Sequence, residues 1–108
     1  MSKYVFESEG TEYTMEFDRE TVERAERLLG IKPQTVTEYS VLNAKALFHA
    51  SLLKHHPKMK ASTVDRLFAA QGDKQDMYAD LVEMYAEAYE SLMVDAPGEN
   101  PIKRRKID

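Results

Sequence analysis

The chain has 108 residues and a formal net charge of −4 at pH 7, the size of one domain that buries roughly two-thirds of its unfolded surface. It contains no cysteine, which excludes a disulfide framework and a thiolate metal site. Its acidic balance argues against nonspecific nucleic-acid affinity over the whole body, and the opening MSKYVFESEG has no apolar run of the kind a secretory signal needs.

Residues 3–17 read as a β-hairpin, because Tyr4 and Phe6, and then Tyr13, Met15 and Phe17, alternate with polar or smaller residues. A two-residue loop at Glu9-Gly10 sets Phe6 opposite Tyr13 and Tyr4 opposite Met15 on one face. An odd-length loop would throw one of the two apolar sets to the other side. The opposite face then pairs Lys3 with Glu16, which is favourable, and Glu7 with Glu12, which is mildly repulsive. Two strands are marginal alone in water, so the apolar face must pack on helices or on another chain.

Asp18 is a good N-cap for a first helix over 19–29, with Val22, Ala25, Leu28 and Leu29 as its apolar stripe. Glu20–Arg24 and Glu23–Arg27 are charge pairs in the favourable order. Gly30 suits the left-handed residue that ends such a helix, Ile31 its hydrophobic contact, and Pro33 blocks continuation. The stretch 41–53, VLNAKALFHASLL, is apolar nearly all round a helix, which predicts a central helix buried on several sides. Thr35 or Thr37 is expected to cap it, and it runs to about His55, before Pro57. It is too short, and too interrupted by Asn43, Lys45 and His49, to span a bilayer.

Ser62 is expected to cap a short third helix that turns Val64, Leu67 and Phe68 inward and closes at Gly72. Asp73 opens the last helix, which runs to about Val94. Met77, Leu81, Met84, Tyr85, Ala88 and Leu92 form its main stripe, and Tyr78, Val82 and Tyr89 widen it. Asp76, Asp80, Glu83, Glu87 and Glu90 make the opposite face acidic. Residues 95–108, with two prolines, a glycine and the block Lys103-Arg104-Arg105-Lys106, read as a disordered basic tail. The fold expected is α+β. A two-stranded antiparallel hairpin precedes about four helices packed around a buried central one, in a single domain over 1–94.

No set of residues supports catalysis, and no catalytic, cofactor-binding or metal-binding residue is expected. The serines lie outside any nucleophile-elbow context, and the four glycines belong to turns and caps rather than a phosphate loop. His49, His55 and His56 lack paired Cys/His spacing; they read as one partly buried polar residue and two at a helix C-terminus. Lys103-Arg104-Arg105-Lys106 has the look of a nuclear-localisation or polyanion-contacting block, which alone would suggest a nuclear-targeted adaptor; its bland reading is a solubilising end. The methionines and tyrosines of the last helix stand out more, because their apolar sector is wider than one neighbour needs. Met77, Tyr78, Val82, Tyr85 and Tyr89, with Tyr4, Phe6 and Tyr13 of the hairpin, are therefore the candidate partner-binding residues.

In this order, KYVFESEGTEYTMEFDRETVERAERLLG, ALFHASLLKHHPKMKASTVDRLFAA and DLVEMYAEAYESL carry a resemblance. The chain resembles the small tail assembly chaperones of long-tailed phages and prophages of Gram-positive bacteria. The shared pattern is a hairpin leading into a T-V-E-style helix, an L-F-x-A helix ending in basic and histidine residues, and a last helix of the L-x-E-M-Y-x-E type. It covers about residues 3 to 93 and leaves out the tail. The resemblance implies a non-enzymatic virion-assembly factor in the cytoplasm of the bacterial host. Its partners would be the tape measure protein, which it keeps soluble, and the tail tube protein; self-association is common in such chaperones. No cofactor, membrane or direct nucleic-acid contact is implied. The alternative is a small phage-encoded inhibitor that uses the acidic face of the last helix to occupy the nucleic-acid site of a host enzyme.

Overall fold

The computed structural model describes residues 2–94 and 101–107. Of the expected tail, residues 95–100 and 108 lie outside the described residues, while residues 101–107 form neither helix nor strand and leave Ile102 and Ile107 exposed. The fold is α+β: a two-stranded antiparallel hairpin, β1 (Lys3–Ser8) and β2 (Thr11–Glu16), followed by five helices. These are α1 (Arg19–Leu29), α2 (Pro33–Val36), α3 (Val41–Leu52), α4 (Ala61–Ala69) and α5 (Lys74–Leu92).

The hairpin register is the one that turn parity requires, with Phe6 opposite Tyr13, Tyr4 opposite Met15, Lys3 opposite Glu16 and Glu7 opposite Glu12. Glu9 and Gly10 both have positive φ, 50° and 81°, the signature of the tight turn whose twist matches that of its strands. Asp18 caps α1, its Oδ1 accepting from the Thr21 amide at 2.8 Å and the Thr21 hydroxyl at 2.7 Å. Gly30 ends the helix at φ 68°, where its amide and that of Ile31 close onto the carbonyls of Glu26 and Ala25. Val22 and Ala25 are buried as expected, but Leu28 is 61% exposed and Thr21 is buried in its stead. Glu23–Arg27 pairs at 4.0 Å.

Between α1 and α3 the chain makes an extra turn. Pro33 opens α2 rather than only closing α1, as its missing N–H and fixed φ allow at a helix start. The cap of α3 is Ser40, whose Oγ accepts from the Asn43 amide at 3.1 Å, and not Thr35 or Thr37. Asn43 also donates through Nδ2 to the carbonyls of Thr35 and Glu38, which ties α2 to α3. Val41 and Leu42 are exposed at 65% and 79%, so α3 is buried only beyond its first turn. From there Ala44, Leu47, Phe48, Ala50, Ser51 and Leu52 are all buried. Two smaller corrections concern the later caps: α4 starts after Lys60, with no side-chain cap from Ser62, and Asp73 precedes α5 without a capping bond.

Helix α3 touches β2, α1, α2, α4 and α5 and is the centre of the core. The Phe48 ring lies 6.0 Å from that of Phe6 and 5.8 Å from that of Phe68, so the hairpin's apolar face is covered from within the chain. At the far end of α3, Lys54 Nζ pairs with Glu16 and Asp18, each at 3.1 Å, and His55 Nε2 reaches Glu16 at 2.8 Å. These contacts bind the junction of β2 and α1 to the end of α3. Burial raises the Asp18 pKa, but the bonds from the Thr21 hydroxyl and amide and from Lys54 outweigh it and bring the value from 3.8 to about 2. The folded value lies below the unfolded one, so the Asp18 contribution is complete above the unfolded pKa and is lost as pH falls towards 2. Asp18→Ala is expected to cost about 0.5–2 kcal/mol at neutral pH. Urea unfolding of both proteins should show that gap narrowing between pH 4 and pH 2; a gap constant with pH would assign it to something other than the carboxylate.

Candidate functional site: an apolar groove between α2 and α5

Helix α5 packs against both α1 and α3, and that double contact consumes most of its wide apolar sector. Met77, Tyr78, Leu81, Met84, Tyr85 and Ala88 are buried inside this chain. Met77 and Tyr78, with Tyr13 of β2, are packed into the core, so most of each side chain is turned inward rather than towards a partner as expected. Val82 and Tyr89, on the sector's outer edge, stay half-buried. Phe6 is half-buried in a stack with Tyr13, ring centroids 5.3 Å apart, and Tyr4 is 40% exposed at the other border of α5.

Val82, Tyr85 and Tyr89 come together in a groove of about 270 Å³ whose other wall is Pro33, Val36 and Thr37. Tyr85 is its floor. That side chain is only 2% exposed, meets Phe17 edge-on at 5.7 Å and stacks on Tyr89 at 6.0 Å. Burial, with smaller contributions from Tyr89 and Glu26, pushes the Tyr85 phenol up to about 12, so it remains neutral at physiological pH. The wall is fixed from behind, because Tyr78 Oη donates to the Val36 carbonyl at 2.7 Å in a buried bond. Tyr39 meets Tyr78 edge-on at 5.0 Å and is itself exposed, as are Val41 and Leu42 just beyond it in the chain. The sequence reading missed Pro33, Val36 and Tyr39. Their one signal was that Val36 and Tyr39 are apolar or aromatic residues in a stretch otherwise read as the cap of the central helix.

A strip of this kind takes apolar side chains from an amphipathic partner and offers little to a polar one. The remaining candidates lie elsewhere. Tyr4 and Met77 line a small hollow of about 120 Å³ with Asp73 and Asp80. Tyr13 lines a wide, shallow one of about 570 Å³ beside His56, Lys58 and Lys60. The eight residues therefore do not form one surface.

The acidic face of α5 lies beside Tyr4, whose phenol is held above its ordinary pKa by Asp80, burial, Glu83 and Glu87 in that order. Among the described residues, none of Asp76, Asp80, Glu83, Glu87 and Glu90 lies within ion-pair distance of a cation. The histidines are separately employed. His56 Nε2 accepts the Thr14 amide at 3.1 Å, His55 reaches Glu16, and burial lowers the pKa of half-buried His49 against the pull of Asp65. Among the described residues no group of three or more His, Asp or Glu gathers as a metal site, and no helix is long and apolar enough to cross a membrane.

Comparison with curated proteins and with solved structures finds no match to this chain. A family match does exist, and it spans nearly the whole length: over residues 1–106 the chain belongs to the family described as a domain of unknown function, DUF5055.

Proposed function

We propose that the protein is a non-enzymatic phage tail assembly chaperone that holds a helical segment of the tape measure protein in the α2–α5 groove. One observation carries the site: Val82, Tyr85 and Tyr89 line an apolar groove with Pro33 and Val36 on the surface of the domain. The identity of the partner comes from the sequence resemblance, which implies a long, helical, apolar client made in the bacterial cytoplasm. Recruitment of the tail tube protein is part of the same reading. An amphipathic client helix suits a groove of this chemistry because it brings apolar side chains at three- and four-residue spacing. Tyrosines add apolar area and a hydrogen-bonding tip together.

Tyr89→Ala is expected to keep the circular dichroism spectrum and to weaken capture of tape measure fragments by about 1–2 kcal/mol, the scale of an interface anchor. Titrating immobilised fragments with both proteins tests this. Undiminished capture by a folded variant moves the site off the groove, and no capture by the parent rejects the client.

The second reading, an inhibitor of a nucleic-acid-binding host enzyme, draws on the carboxylates of α5, which have no cation within ion-pair distance among the described residues. Like charges at three- and four-residue spacing repel one another, so a cationic surface would relieve them. Co-expression separates the two: solubilisation of a tape measure fragment supports the chaperone, and salt-sensitive blocking of the enzyme supports the inhibitor.

A further inference from the structure

The two edges of the hairpin are not alike. The Thr14 amide donates to His56 Nε2, so the backbone of Thr14 points away from β1. Thr14 faces Val5 in the register, and in an antiparallel pair both residues of such a position turn their N–H and C=O outward. The outward groups of β1 are therefore those of Val5 and, two residues either way, of Lys3 and Glu7. Among the described residues none of these backbone groups has a hydrogen-bond partner beyond the hairpin. Lys3, Val5 and Glu7 are all exposed, Val5 at 52%. One edge is thus closed by a histidine and the other is left open, a ready template for another strand.

The side chains on that edge say which strand fits. An antiparallel copy of β1 centred on Val5 sets Val5 against Val5, Lys3 against Glu7 and Glu7 against Lys3. All three positions are ones whose amides and carbonyls face the incoming chain. Charge, parity and backbone agree in this one register, and a two-fold axis through Val5 repeats each contact. A lone edge lysine ordinarily discourages such pairing; here Glu7 of a second copy neutralises it. We propose that β1 is a self-association edge, at which two copies of this chain join their hairpins into a four-stranded antiparallel sheet.

Sedimentation velocity of the full chain over a concentration series tests this, and the expected result is a concentration-dependent dimer. Val5→Pro removes an N–H that makes no bond within the hairpin, so the monomer should keep its circular dichroism while the dimer is lost. Glu7→Lys turns the repulsive Glu7–Glu12 contact within the hairpin into an attractive one, yet it sets lysine against lysine twice across the two-fold. It should weaken dimerisation about tenfold, because like charges directly opposite destabilise a strand pair. Lys3→Glu combined with Glu7→Lys should restore it. A parent protein that stays monomeric at every concentration overturns the proposal. So does a dimer that survives both Val5→Pro and Glu7→Lys, or a charge swap that restores nothing.

Discussion

Phe48→Ala is expected to lower the stability of this domain by about 3–5 kcal/mol, the range for truncating a buried aromatic side chain. Phe48 is fully buried in α3, which every other helix contacts, and its ring lies between Phe6 of the hairpin and Phe68 of α4. Removing it leaves a cavity bounded by the hairpin, α3 and α4. A domain of ordinary stability holds only about 5–15 kcal/mol in total, so the variant should be close to unfolded at 37 °C. Urea denaturation followed by circular dichroism measures the loss. A loss below about 1 kcal/mol would mean that the hairpin and α4 close over the gap.

Tyr85→Ala should cost about 3–5 kcal/mol as well, although Tyr85 and Tyr89 stack on each other and both line the groove. The difference is depth. Tyr85 is buried against Phe17 at the junction of α1 and α5, whereas Tyr89 lies half-buried on the rim. Thermal unfolding should therefore shift by many degrees for the first and little for the second. Tyr85→Phe, which keeps the ring, should retain most of the stability. Equal losses for Tyr85→Ala and Tyr89→Ala would show that the rim belongs to the core and that the groove is not a separate surface.

The hairpin was legible in the sequence because a two-residue turn leaves one parity, and parity decides which residues share a face. Helix α1 was legible because Asp18 and Gly30 mark its ends by chemistry rather than by pattern. Helix α2 was not: four residues carry no period, and a proline that starts a helix reads the same as one that stops the helix before it. The cap of α3 was missed because Thr35, Thr37 and Ser40 all carry a suitable oxygen, and only the path of the loop selects among them. The candidate site was half legible. The width of the apolar sector on α5 pointed outward, but α1 and α3 both lean on that helix, so Met77 and Tyr78 were claimed by the chain itself. Of the expected partner-binding residues, Val82, Tyr85 and Tyr89 border the groove that remained. No periodicity within α5 could reveal Pro33 and Val36 as its opposite wall.

The buried bond from the Tyr78 hydroxyl to the Val36 carbonyl has a kinetic consequence. It latches the four-residue helix α2 to α5 from the inside, so the wall of the groove is in place before any segment arrives. A short helix without such a latch would have to order on contact, and its ordering entropy would come out of the affinity. If a segment docks here as proposed, that cost would fall on the incoming chain alone, and encounter would be docking onto a finished surface, at the ordinary rate of about 10⁵–10⁷ M⁻¹ s⁻¹ for two specific patches.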